Sequence, residues 1–591
     1  MSSSNLSKLT WGLLGLFSML LLVVYAWPIA KIGTFNLEAV RAINTDEWDY
    51  LNLCASAFQR GDFFIYKFDY GLLYYNIGLA AIYLIDLVIP MDTQKIIEFL
   101  RIQSFVFLIL TALLCFDYGK RFVSFKVGLA TFIGVLISSI TTLWYGAMLH
   151  PDTCQLFFVV LSFYGLARYN KDESWTWMFT ALMASGFAFS TKYAGVALLP
   201  MIWLVLLTHN ATLLKAFKLR WQAIVLMLVS ALWFALLDVT WISSYITQDV
   251  EETAALYVFI ELLRIVAAVF TLVGVFYLVW GAKKQIKWFI ELMKALFLLI
   301  SSSTVFFLAF IIGSPQSIVD FNFLNGFLYI TNAHRDGHWF RNESGLWGWA
   351  EILGNSETLG WFWLLFGLLG VILIFSRIKT LKWNHPQLLP FYWMLSFLVV
   401  IIFRIKSKFS HYLIPIIPVI VFYAAIIIDE LLKRIFKEKE RVSSMVFGLL
   451  VLVYAVWQFG NINEFKNKKV NRFETSPAMS AGYWLEKNAE EGVVILTDNY
   501  VYIPPFYNYK PHYVWGVLPQ HIKDLNPDYV IIEESIFEQF VDPERVKDYL
   551  HGADVYMARH KLYADLLKDE NEEYKLVQDF GEVKIYTRRK G

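Results

Sequence analysis

The chain has 591 residues, 57% hydrophobic and 18% aromatic, with 17% charged and a formal net charge of +1. A soluble globular chain is about 45–50% apolar and about 25% charged, so this composition excludes an ordinary soluble domain. The even charge balance gives no electrostatic footprint for nucleic acid.

The surplus apolar residues come in blocks of about 16–24, separated by short charged stretches. A run of about 20 apolar residues crosses a bilayer as a helix, because in lipid every backbone N–H and C=O must be bonded internally. The pattern predicts a polytopic α-helical membrane protein with about thirteen spans. They fall at 9–28, 100–118, 127–147, 153–168, 175–191, 193–208, 222–240, 259–280, 289–312, 359–376, 388–403, 411–428 and 443–460. The stretch 70–90 is interrupted by Asn76 and Asp86 and rich in Tyr, which suits a helix lying along the interface. The first run follows a single Lys and lacks a small-residue cleavage site after Pro28, which reads as an uncleaved span. Cys54, Cys115 and Cys154 lie in or beside apolar stretches without metal-ligand spacing, as small hydrophobes do.

Orientation follows from Lys and Arg. With the N-terminus inside, the inner loops hold Lys120, Arg121 and Lys126, then Arg168 and Lys171, and later Lys433, Arg434, Lys437, Lys439 and Arg441. The outer loop 241–258 has no Lys or Arg, and the loop 313–358 has only Arg335 and Arg341. The expected location is a cell membrane, crossed many times, with a cytoplasmic N-terminus. On this reading residues 1–460 form the membrane domain, with a long first outer loop at 29–98 and a second at 313–358. Residues 461–591 form an extracytoplasmic α/β domain. In it, Ser476-Pro477 opens a capped helix over 478–489, 493–497 and 529–532 read as buried strands, 543–550 and 556–567 look helical, and 574–580 with 583–587 read as a hairpin.

Five stretches carry residues suited to chemistry. Asn44-Thr45-Asp46-Glu47-Trp48-Asp49 places three carboxylates within four residues just after the first span. Asn44 as a helix cap, with acids at the positive end of the dipole, accounts for one or two of them. His150-Pro151-Asp152-Thr153 joins two spans at the same face, where a turn aspartate is ordinary. Two acidic sites in one layer also suit acid–base work or metal binding. Lys192, between two apolar runs, either snorkels or binds an anion. Arg404, Lys406 and Lys408 put three positive charges in an outer turn, against the positive-inside bias, and precede Tyr412 and Pro415. Phosphate at the interface is the anion such a turn would meet. His334 and His338 are four residues apart around Gly337, and their spacing alone is a weak metal signal.

In this order the pieces resemble the GT-C superfamily of membrane glycosyltransferases, and within it the group of protein O-mannosyltransferases and lipid A aminoarabinose transferases. The carriers are Asp46-Glu47 in the first outer loop, Asp152 after the third span, Thr191-Lys192-Tyr193-Ala194-Gly195, Lys408-x-x-x-Tyr412-x-x-Pro415, and Gly337-His338. The likeness runs through roughly residue 430, and the C-terminal domain is similar to that of prokaryotic members. One departure stands out: aminoarabinose transferases carry Lys-Pro late in the first loop, where this chain reads Phe68-Asp69-Tyr70-Gly71. That argues against lipid A modification.

The resemblance implies sugar transfer from a polyprenyl-phosphate donor to a lipid, glycan or protein acceptor at the outer face, by a single inverting displacement. Asp46 is the candidate base and Asp152 its catalytic partner. Glu47, Lys192, Arg404, Lys406, Lys408, His334, His338 and Tyr412 are the candidate substrate-binding residues. The cofactor is left open; a divalent metal could draw its ligands from Glu47, Asp152, His334 and His338. The competing reading is a transporter or flippase of a lipid-linked or charged solute. Such sites usually lie near the midplane between repeats, whereas here the charges cluster at one face and no repeat is visible. A non-catalytic scaffold would leave the paired acids and the basic turn unexplained.

Overall fold

A computed structural model describes residues 3–65, 67–209, 286–317, 322–336, 340, 345–378, 381, 384–405, 408–437, 439–505 and 508–589. Two of the expected spans, 222–240 and 259–280, and the loop 241–258, lie outside the described residues. The other eleven each fall on helix. Among the described residues, four helices are long and apolar enough to cross a membrane: Lys8–Ala30, Thr93–Phe122, Ser410–Phe436 and Glu440–Val470. A fifth span arises if the pair Phe125–Ile137 and Ile140–Gly146, bent by 68°, is counted as one. Shorter apolar helices, Trp361–Ser376 among them, also occur among the described residues.

Local chemistry explains the breaks. Ser139 caps the second half of the bent pair by accepting from Thr142 N at 3.0 Å, so the chain restarts a helix where the first one ends. The helix Trp175–Thr191 stops at Lys192, whose backbone is extended, and a 3₁₀ turn Tyr193–Ala197 leads into Leu198–His209. The stretch 70–90 forms the helix Leu73–Asp86, whose Tyr74, Tyr75, Leu79 and Ile82 are buried in the bundle.

Charge marks the two ends of the bundle differently. At one end Asp429 is held by Lys126 at 2.9 Å and Lys433 at 2.8 Å, and Arg168 pairs with Asp172 at 2.6 Å. The other end is made by the segment 31–72, which packs onto the end of Trp175–Thr191. Leu72 N donates to Ser314 Oγ at 2.7 Å, and that hydroxyl donates to Ser190 O at 3.1 Å.

The last hundred residues build a five-stranded sheet in the order β2-β1-β3-β5-β4. The strands are β1 Val494–Asp498, β2 Lys510–Val514, β3 Tyr529–Glu533, β4 Tyr574–Asp579 and β5 Val583–Arg588. β1 lies parallel to both β2 and β3, and β5 runs antiparallel to β3. The helix Pro477–Asn488 starts at Ser476, as the sequence predicts, and the hairpin is as expected. The stretch 543–550 proves to be a short 3₁₀ turn, Pro543–Asp548.

The sheet is fastened to the segment 31–72 by stacked charge. The Arg41 guanidinium sits between the rings of Trp48, at 3.4 Å, and Tyr513 of β2, at 3.9 Å. Tyr513 also donates to Glu38 Oε2 at 2.9 Å. Such desolvated cation–π contacts are worth about 2 kcal/mol, and here they bring β2 against the helix Leu37–Arg41, just ahead of Asp46.

Candidate active site

Asn44 caps the helix Thr45–Arg60, accepting from Asp46 N at 3.0 Å and Glu47 N at 3.3 Å. The capping reading therefore holds, and the helix then sends its two acids in different directions. Successive side chains on a helix diverge by about 100°. Glu47 turns inward and is 1% exposed. Arg101, fully buried, grips it with two bonds of 2.8 Å and also donates to Ala30 O and Ile32 O. Leu149 N donates to Glu47 Oε1 at 2.7 Å. Glu47 thus ties together the first span, the helix Thr93–Phe122 and the turn before Asp152. It is a buried strut, away from the cavity wall where substrate or metal contact was expected.

Asp46 turns outward, exposed, into a cavity of about 1620 Å³. Among the described residues its carboxylate makes no hydrogen bond or ion pair. Lys67 lies on the same wall, held by Asp49 at 2.6 Å and Asp69 at 3.4 Å. Burial raises the Asp69 carboxyl above its ordinary range, opposed by Lys67.

Asp152 is buried just behind that cavity. Lys192 Nζ lies 2.7 Å from its Oδ1, and the Lys192 carbonyl accepts from Gln155 Nε2 at 3.0 Å. Lys192 is therefore an internal partner of Asp152, and its ammonium faces the rings of Tyr70 and Tyr412 at 5.2 and 5.4 Å. Burial pushes the Tyr70 phenol far up, and the nearby carboxylates of Asp46, Asp152 and Asp69 add to the shift. One phenol thus stands within the field of both acids.

His150 stacks edge-on with Tyr145 at 4.8 Å and with His411 at 5.3 Å. His150 Nδ1 and Asp152 Oδ2 lie 2.7 Å apart, yet neither of these buried atoms has a hydrogen-bond partner in good geometry. Among the described residues, His150, Asp152 and His411 form the group suited to a metal ion, with ligand atoms within 4.8 Å of one another. Two imidazoles and one carboxylate suit a divalent transition ion. This set shares only Asp152 with the candidates read from the sequence.

Lys408 and Tyr412 line the cavity, and burial lowers the Lys408 ammonium from its ordinary range. Arg404 ends the helix Leu389–Arg404 and His334 lies in Asn322–Asp336, their side chains undescribed; Lys406 and His338 fall outside the described residues. The sequence reading passed over His150 and His411 as ligands because they are 261 positions apart and meet only in space. It also passed over the far wall of the cavity, which comes from the C-terminal sheet: Tyr500, Trp515, Glu533 and Arg545. The signal for these was the rule that ligands gather beyond the carboxyl ends of parallel strands.

Residues 76–234, about a quarter of the chain, match the family "Dolichyl-phosphate-mannose-protein mannosyltransferase". No curated protein matches the sequence. In three dimensions the chain is similar to ArnT from Cupriavidus metallidurans in the apo state, with a TM-score of 0.45, 13% identity, and 91% of this chain and 92% of that one covered. For the same protein bound to undecaprenyl phosphate the TM-score is 0.44 and the identity 10%, at the same coverage. It is also similar to the Archaeoglobus fulgidus oligosaccharyltransferase in complex with Zn and sulfate, with a TM-score of 0.44, 10% identity, and 86% and 66% covered. Over the segment it covers, the family match agrees with the motif resemblance.

Proposed function

We propose that the protein transfers a sugar from a polyprenyl-phosphate donor to an acceptor hydroxyl or amine at the outer face of a cell membrane. The observation that carries this reading is the pairing of an exposed Asp46, on the wall of one large cavity, with a buried Asp152 held by Lys192 at 2.7 Å. A base must be reachable and free to take a proton; a positioning acid must be held. The family match supports a donor of the polyprenyl-phosphate class. The division into a membrane domain, 1–460, and an extracytoplasmic domain, 461–591, with the N-terminus inside, belongs to the same proposal.

The chemistry is a single displacement. Asp46 takes the proton of the acceptor hydroxyl as its oxygen attacks the anomeric carbon. The bond from that carbon to the phosphate oxygen breaks, and the polyprenyl phosphate leaves with the electron pair. Phosphate needs charge stabilisation more than protonation. Lys408 supplies it from the cavity wall, with Arg404 and Lys406 its near neighbours in sequence. Lys192 acts indirectly, by holding Asp152. His150, Asp152 and His411 would hold a divalent cation, which supplies positive charge to a phosphate oxygen.

The test is reconstitution of the purified protein in nanodiscs with polyprenyl phosphates bearing labelled hexose, pentose or amino sugar, plus cell-envelope extract. The expected result is label in an acceptor fraction and release of polyprenyl phosphate. Survival of every donor intact would overturn the proposal.

A further inference from the structure

The carboxyl ends of the three parallel strands all point at the cavity that holds Asp46. Two residues beyond the end of β1 stands Tyr500, one beyond β2 stands Trp515, and Glu533 closes β3. All three line the cavity with Asp46. β1 is the point where the sheet divides, since its neighbours β2 and β3 lie on opposite sides. In open α/β sheets that crevice is where ligands bind, and here it opens onto the candidate base.

Tyr500 has a second distinguishing feature. Its φ is +68°, a left-handed conformation uncommon for a bulky residue and costing about 1–3 kcal/mol. Its side chain lines the same cavity as Thr45 and Asp46, and its ring meets that of Trp515 edge-on at 5.7 Å. The surrounding polar groups are planar and two-pronged: the Glu533 carboxylate, the Gln539 amide and the Arg545 guanidinium, which lies 4.3 Å from the Phe340 ring.

We infer that this edge of the C-terminal sheet is the acceptor subsite and that its ligand is a carbohydrate, an inference that rests on the transfer reading above. A pyranose ring offers a face of C–H bonds to an aromatic ring and a rim of hydroxyls to carboxylate, amide and guanidinium groups. Tyr500 and Trp515 supply the first kind of surface, and Glu533, Gln539 and Arg545 the second. A polypeptide acceptor would call for unpaired strand edges or apolar pockets, whereas the sheet meets the cavity with strand ends. A sugar seated here places its reactive hydroxyl toward Asp46, and Tyr500 joins the two walls.

The experiment uses the full chain in nanodiscs and saturation-transfer NMR with soluble neutral oligosaccharides of hexoses and N-acetylhexosamines, beside a Ser/Thr-containing peptide. The expected result is saturation of at least one oligosaccharide by the wild type. That signal falls at least fivefold in Trp515→Ala and Glu533→Gln and is retained in Trp515→Phe. No saturation of any oligosaccharide, an unchanged signal in both variants, or saturation of the peptide alone would overturn the inference. Donor consumption by the wild-type sample is measured alongside. If the donor is consumed but no sugar is bound, the subsite alone is wrong; if the donor is untouched, the transfer reading itself fails.

Discussion

Asp46 and Glu47 show how one helical step separates chemistry from structure. Glu47 and Arg101 are both buried, and the pair is satisfied by three backbone groups on two segments. Removing one member of such a pair typically costs about 3–5 kcal/mol, because the other charge is left buried without a partner. Arg101→Met should therefore lower the melting temperature in detergent markedly, and the double variant Glu47→Gln/Arg101→Met should be less affected than Arg101→Met alone. A milder single than double variant would contradict the strut role. With Lys408 on the cavity wall as the proposed phosphate contact, Lys408→Ala should raise the apparent KM for the donor by about tenfold or more and leave that for the acceptor nearly unchanged. Equal shifts in both, read from initial rates, would count against it. The acids and Lys408 stood out in the sequence because charges are rare in an apolar chain. Which acid is free and which is a strut was not legible, because Arg101 is 54 positions from Glu47 and sits at the edge of an apolar run.

Among the elements, span positions were readable because lipid forces long apolar blocks, and all eleven described blocks are helical. The bend between Phe125–Ile137 and Ile140–Gly146 was not, since its apolar character is continuous and only Ser138-Ser139 marks the break. β2 was missed for a different reason. Lys510 and Pro511 begin it, and Pro cannot donate to a ladder, so it sits at the sheet edge, paired to β1 alone. One close approach gives a test at this scale. A Cβ on Gly71 would collide with the Ser190 carbonyl oxygen, so Gly71→Ala must push the Tyr70 segment off the helix that ends at Lys192. The expected outcome is a loss of transfer of about tenfold or more with the protein still folded. Unchanged rates would show that Tyr70 need not be held there.

On the scale of the whole molecule, the C-terminal sheet is part of the site's enclosure. The sequence showed it as a separate α/β piece but gave no sign of where it sits, because Arg41 and Tyr513, which hold it, are 472 positions apart. Beneath its cavity edge, Asp498 accepts from Glu533 N at 3.0 Å and from the Tyr563 hydroxyl at 2.9 Å, and burial pushes its carboxyl up to about 7. An unfolded aspartate titrates near 3.9. Between these values the folded chain keeps a proton that the unfolded chain releases. The stabilisation is thus complete below about pH 4 and is lost as pH rises through 7. Hydrogen exchange of β1 and β3 should quicken from pH 5 to 8, beyond the intrinsic rate, and Asp498→Asn should flatten that dependence. An identical profile in both proteins would remove Asp498 as the cause.

The account turns on Asp46 as the base of a sugar transfer. Its most direct test is Asp46→Asn, purified and shown by thermal melting to be folded, incubated with labelled polyprenyl-phosphate sugar and envelope extract. The account predicts a fall in transfer of at least about 100-fold with donor binding retained. Near-normal transfer by this variant would contradict it.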